Sequence, residues 1–150
     1  MAPRYFTLDE ANALVPTVSA RMERIGELHQ QLRSVAESLD DAGTPLTQAV
    51  LADEATEGPA PVLRLQLRAR ALYDAIREEL DLLEEVGAQV KDVTAGLVDF
   101  PSLRDGAVEV LLCWQLGETQ ISYYHDERTG FSGRQPVEGH EFLGAPRILH

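Results

Sequence analysis

The strongest constraint on this chain is a pair of apolar stripes of matching length. Val18, Met22, Ile25, Leu28, Leu32, Val35 and Leu39 follow one another in steps of three and four, and so do Leu65, Ala69, Leu72, Ile76, Leu80, Leu83 and Val86. Steps of that size put every member on one side of an α-helix, because residues three and four apart meet on successive turns. Two stripes of equal length predict an antiparallel helical hairpin over about residues 8–88, with coiled-coil-like packing. Two helices cannot bury both stripes by themselves, so a sheet or a second copy of the chain must supply a third surface.

The ends of the helices are also written in the residues. Thr7-Leu8-Asp9-Glu10 is a capping-box sequence, and a helix should start there. Pro16 lacks an amide hydrogen, so it should either kink that helix or begin a second one. Gly43 and Gly87 stand where each stripe stops, as left-handed terminal residues would. The connection from Asp41 to Pro61 is long for a hairpin; a short helix is expected through Leu46, Ala49 and Val50, and a mobile stretch from Glu54 to Pro61.

After Gly87 the apolar period drops to two, which predicts a β-meander over about 89–126. Val90-Lys91-Asp92 and Leu97-Val98-Asp99-Phe100 flank Thr94-Ala95-Gly96 as a small hairpin, and Val108–Gln115 and Gln120–His125 form a longer pair. A tight turn at Gly117-Glu118 would set Trp114 opposite Ile121, Leu112 opposite Tyr123 and Val110 opposite His125. His125 would then share the core face with Trp114, and Cys113 would point the other way. The opposite face, with Leu111 and Tyr124, would be covered by Phe131 and Phe142 or by a second subunit. Residues 127–150, rich in Gly and Pro, predict an irregular tail.

Composition narrows the function. At 150 residues with a net charge of −12, the chain is read as one acidic α+β domain, the hairpin packed on a small antiparallel sheet. Half of the excess negative charge lies on residues 1–61, where a basic partner would be sought. Such acidity opposes binding to nucleic acid or an anionic membrane. No apolar run is long enough to span a bilayer and no apolar leader stands at the N-terminus, so a cytoplasmic location is expected. One cysteine, Cys113, excludes an intrachain disulfide or a multi-cysteine zinc module.

Common cofactor signatures are missing: there is no phosphate-binding glycine loop, no dinucleotide fingerprint and no zincin motif. Cys113, Glu118 and His125 offer the donor types that zinc or iron take, but a regular hairpin keeps them apart. His125 would lie roughly 20 Å from Glu118 at about 3.3 Å per residue, and Cys113 would sit on the far face. Only a bulge or a second chain would bring them together. The candidate ligand-binding residues are instead His125, Arg134, Asp99 and Glu10. In that pocket the glycines flanking Phe131-Ser132 expose amides, Arg134 grips an anion, and the acids partner the imidazole. Cys113 reads as a small strand residue, His29 as a surface or interface residue, and His140 and His150 as tail residues without metal spacing.

The stretches Tyr5–Pro16, Gly96–Pro101, Cys113–Glu118, Tyr124–Asp126 and Gly130–Pro136 together resemble the bacterial family catalogued as domain of unknown function 2203. Members of that family carry Phe and Trp before the histidine, where this chain has Tyr123-Tyr124. The resemblance covers Tyr5 to Pro136 and implies no activity, since that family is uncharacterised. Two functions remain open on the residues. The first is a non-enzymatic binding or assembly module, dimeric or larger through its helix stripes or outer sheet face. The alternative is a small-molecule or metal-dependent enzyme built around His125 and Arg134.

Overall fold

A computed structural model of the chain describes residues 4–52 and 58–146. Its elements are α1 (Leu8–Asp41), α2 (Gln48–Leu51), α3 (Ala60–Glu85), β1 (Gln89–Asp92), β2 (Leu97–Arg104), β3 (Val108–Gln115), β4 (Tyr123–His125), β5 (Gln135–Pro136) and β6 (Phe142–Leu143). The class is α+β: a long helical region and an antiparallel sheet. The chain divides into two compact units, Met1–Glu23 with Leu82–His150, and Arg24–Asp81. Among the described residues no helix is long and apolar enough to cross a membrane.

The capping box at Thr7 forms. The Glu10 amide donates to the Thr7 hydroxyl at 3.0 Å, and the Thr7 amide donates to the Glu10 carboxylate at 2.9 Å. From there α1 runs as one element through Pro16, so no second helix starts at the proline. Both long helices end as their glycines predict. Gly43, at φ +76, donates to the Asp40 carbonyl while Thr44 donates to that of Leu39. Gly87, at φ +92, donates to Glu84 while Ala88 donates to Leu83. In each case the paired bonds satisfy carbonyls the helix leaves orphaned.

Within Arg24–Asp81 the two helices run antiparallel: Arg24 pairs with Glu79 at 3.5 Å, and Arg68 donates to Gln31 at 3.3 Å. Ile25, Leu28, Val35 and Leu39 are buried, as are Ala69, Leu72 and Ile76. At the start of α3 the buried line passes through Val62 and Gln66 instead of Leu65. The short helix forms at Gln48–Leu51, capped by the Thr47 hydroxyl, and Arg70 donates to the Val50 carbonyl beside it at 3.0 Å. Of the expected mobile stretch, residues 54–57 lie outside the described residues, and α3 has begun by Ala60.

The second unit is built on the sheet. Strand order is β1-β2-β3-β4-β5, with β6 on the free length of β2, and every pairing is antiparallel. The sheet thus extends beyond residue 126, and the tail expected to be irregular contributes its last two strands. Pro101 has no amide to give, and it falls between the stretch of β2 paired to β1 and the stretch paired to β6. Its carbonyl accepts from the Phe6 amide at 2.8 Å, and the Ser102 hydroxyl donates to the Phe6 carbonyl at 2.6 Å. These bonds hold Phe6 edge-on to Phe100, with ring centroids 5.4 Å apart. Val98, Phe100, Leu112 and Trp114 fill that face of the sheet and are fully buried.

The β3–β4 register differs from the tight-turn expectation. Leu111 lies opposite His125, Leu112 opposite Tyr124 and Cys113 opposite Tyr123, one residue away from the predicted pairing. Side chains take over where the ladder would have continued. The Glu118 carboxylate accepts from the Gln115 amide at 2.6 Å, and the Asn12 side chain accepts from the Ile121 amide at 2.7 Å. Residues 116–122 therefore form a wide connection in place of a two-residue turn. An odd shift in register reverses every side chain of the strand. Tyr124 joins the Trp114 face, and His125 turns to the face of Cys113. Phe142 lies against Tyr124 at 5.4 Å between ring centroids, and Phe131 stands on the Cys113 side.

The cap generates a pH test. The Thr7 amide, then the Thr7 hydroxyl, hold the Glu10 carboxyl below its ordinary range. A carboxyl held low in the folded chain stabilises at neutral pH, and that contribution is lost as pH falls through the depressed value. The variant E10Q should melt below the parent at pH 7, with the gap closing in the acid range. Thermal unfolding followed by circular dichroism across pH reads both parts.

Candidate metal centre

Three strands bring three donors to one point. Asp99 on β2 stands directly opposite Cys113 on β3, and His125 on β4 is opposite Leu111, two residues along from Cys113. Side chains two apart on a strand share a face, so carboxylate, thiol and imidazole gather on the same side of the sheet. Their ligand atoms all lie within 4.8 Å of one another, and all three residues are buried. The His125 Nε2 and an Asp99 carboxylate oxygen are 3.0 Å apart.

The imidazole is held in a definite orientation. Its Nδ1 lies 2.6 Å from the Asp126 carbonyl, which can only accept, so Nδ1 carries hydrogen and Nε2 faces the cluster. Fixing the tautomer of a ligating histidine through a bond from its other ring nitrogen is the usual support for such a ligand. Asp126 also shapes the adjoining loop: its carboxylate accepts from the amides of Arg128 and Thr129, both at 2.8 Å. Gly133 closes that loop, where a Cβ would lie 2.2 Å from Thr129.

Burial governs the electrostatics of the cluster. Burial pushes the Asp99 carboxyl above its ordinary value, against the pull of His125 and of Lys91. The Cys113 thiol is pushed up to about 12, first by burial and then by the Asp99 charge. A thiol held so far from ionisation is a poor nucleophile, so cysteine catalysis by the residue alone is disfavoured. A divalent metal reverses this logic, since a coordinated thiol gives up its proton. Donors on a tetrahedral zinc lie about 3.3–3.8 Å apart, so these three need contract by only about 1 Å to share an ion.

A cleft of about 190 Å³ opens at the cluster. Leu97, Leu111 and Phe131 form its apolar wall, and Lys91 and Glu127 stand on its rim.

The structure separates the residues that the sequence grouped. Asp99 and His125 meet, and Cys113, which the sequence placed on the far face, joins them. Glu10 is engaged in the helix cap and pairs with Arg4 at 3.6 Å. Arg134 does not present its guanidinium to an anion in the cleft: its Nη2 donates to both oxygens of Glu118 at 3.0 Å. The guanidinium is also sandwiched, its carbon 4.3 Å from the Tyr123 ring centroid and 4.6 Å from that of Phe131. Glu118, weighed above as a metal ligand, is a structural partner instead. Among the tail histidines, His140 pairs with Asp105 at 3.0 Å, and His150 lies outside the described residues.

Residues 4–137 match the family model described as "Uncharacterized conserved protein (DUF2203)". The chain belongs to this family. No curated protein and no solved structure matches it. The three donors, the Glu118–Arg134 pair and the loop carrying Phe131 all fall within the matched range, whereas β6 lies beyond it.

Arg134 ties the β3–β4 connection to the loop that walls the cleft. Truncation in R134A leaves the Glu118 charge without its guanidinium, with only the Gln115 amide to bond it, and removes the stacking between Tyr123 and Phe131. It should lower stability by roughly 2 kcal/mol, and R134K should recover only part, because an ammonium lacks the planar face. Urea unfolding of the three proteins measures this.

Proposed function

We propose that this protein is a mononuclear metal-dependent enzyme acting on small molecules, with Asp99, Cys113 and His125 holding a borderline divalent cation such as zinc or ferrous iron. The observation that carries the reading is the convergence of these buried donors, within 4.8 Å, at the floor of an open cleft. The donor set argues for the metal class. A thiolate and an imidazole favour zinc, iron or cobalt over magnesium and calcium, which take oxygen donors. One carboxylate and one thiolate neutralise a dication, which suits a buried position.

The number of donors argues for chemistry over structure. Structural zinc sites close their four positions with protein ligands, whereas catalytic sites leave one for water or substrate. Here three protein donors face a cleft. When bound, such an ion supplies Lewis acidity and activates water near neutral pH. The chain's own residues supply the rest: the Asp126 carbonyl orients His125, and Phe131 and Leu111 shield the cluster. Of the two functions open from the sequence, this takes the second, because a convergent donor set is a chemical feature and helix stripes are a packing one.

Elemental analysis of protein purified from metal-replete cells tests the reading. The parent should carry about one equivalent of a transition metal, and C113S and H125A should fall to roughly a tenth or less under the same dialysis. Cobalt loading should add a thiolate charge-transfer band in the near ultraviolet that C113S lacks. A folded parent that neither holds metal nor develops the band would refute it.

A further inference from the structure

Resting on that reading, we infer that the substrate class of the site is a small monocarboxylate, with its carboxylate shared between the metal's open position and Lys91. β1 pairs with β2 at Val90–Val98 and again at Asp92–Leu97, so Lys91 is the extra residue of a β-bulge. Gln89 pairs with Asp99, so alternation along β1 sets Lys91 on the Asp99 face, and Lys91 stands on the rim of the cleft that Asp99 floors. Its charge reaches Asp99, yet among the described residues it stands in no ion pair. An exposed lysine at the mouth of a polar-floored cleft, on a chain of net charge −12, is a local exception to the surrounding field.

Charge then selects among anions. With Asp99 and the Cys113 thiolate cancelling a dication and Glu127 balancing Lys91, the cleft is formally neutral, so it takes a single negative charge beside Lys91 more readily than a double one. A phosphate ester carries about two charges near neutral pH and would meet Glu127 unfavourably; a carboxylate carries one. Size selects further. A cleft of about 190 Å³ takes a few heavy atoms, and its Leu97, Leu111 and Phe131 wall suits a short aliphatic or aromatic body.

Titration of the cobalt-loaded protein tests this, with the visible cobalt spectrum as the readout. Acetate, propionate and butyrate should perturb the spectrum with affinity rising about threefold to fourfold per added methylene. Acetamide and inorganic phosphate should bind more weakly than acetate. K91Q should retain one cobalt and the parental spectrum but lose about tenfold or more in carboxylate affinity. A protein that takes up no cobalt overturns the metal reading and this inference with it. One that holds cobalt, yet binds acetate no better than acetamide or phosphate, or equally well in K91Q, overturns this inference alone.

Discussion

The pairing of β4 with β3 decides what this molecule can do. One step of register separates a sheet in which His125 enters the core from one in which it meets Asp99 and Cys113, since an odd shift exchanges the faces of a strand. The observed pairing, Leu111 opposite His125, is not set by backbone bonds alone. Glu118 captures the Gln115 amide and Asn12 the Ile121 amide, so two side chains satisfy the backbone donors at the two ends of the wide connection. Arg134 in turn neutralises Glu118, which sits only partly in solvent. The register, the wide connection and the stacked arginine are parts of one arrangement.

How much of this could be read from residues differs by element. The long helices were legible because their information is local and repeated: stripes in threes and fours, a capping box at Thr7, and glycines at positions 43 and 87. The strands of the meander were legible as strands, because alternation survives any register. Their register was not, since Ile121 and Tyr123 offered one apolar alternation and Tyr124 another, and the residues that chose between them lie far away. Asn12 sits 109 residues from the amide it accepts from. Of the site, Asp99 and His125 could be nominated from their places near strand ends, whereas Cys113 was assigned to the wrong face by the same one-residue step. The signal that could have found it was the donor set itself, Cys and His in neighbouring strands with an acid in the third.

The proline and the bulge on the sheet's outer edge follow a related logic. Pro101 would interrupt a ladder, and it stands where β1 has ended and β6 has not begun, with Phe6 bonded to its carbonyl. Lys91 is the extra residue of the short edge strand β1, and it lies at the cleft on the face that Gln89 shares with Asp99. In both places the sheet departs from regularity: at the proline Phe6 is bonded against the Phe100 face, and at the bulge Lys91 keeps the Asp99 face that alternation with Gln89 gives it.

Two histidine–aspartate pairs among the described residues differ in their surroundings. His140 and Asp105 also meet at 3.0 Å, but both are substantially exposed. Every part of that pair is occupied: the second Asp105 oxygen accepts from the Glu141 amide at 3.0 Å, and the other ring nitrogen of His140 faces the Tyr124 hydroxyl at 3.5 Å. It fastens the segment before β6 to the β2–β3 turn and leaves no donor over. His125 and Asp99 are buried, and the third group beside them is a thiol that burial keeps protonated. Taking a carboxylate, a thiol and an imidazole out of water is costly, and apolar residues of the same volume would make a cheaper interior. That cost falls at the floor of an open cleft, on a face of the sheet that Leu97, Leu111 and Phe131 wall. The clasp is an exposed pair closed by its neighbours, whereas the cluster joins a carboxylate, a thiol and an imidazole in the interior, bonded to one another and to the Asp126 carbonyl.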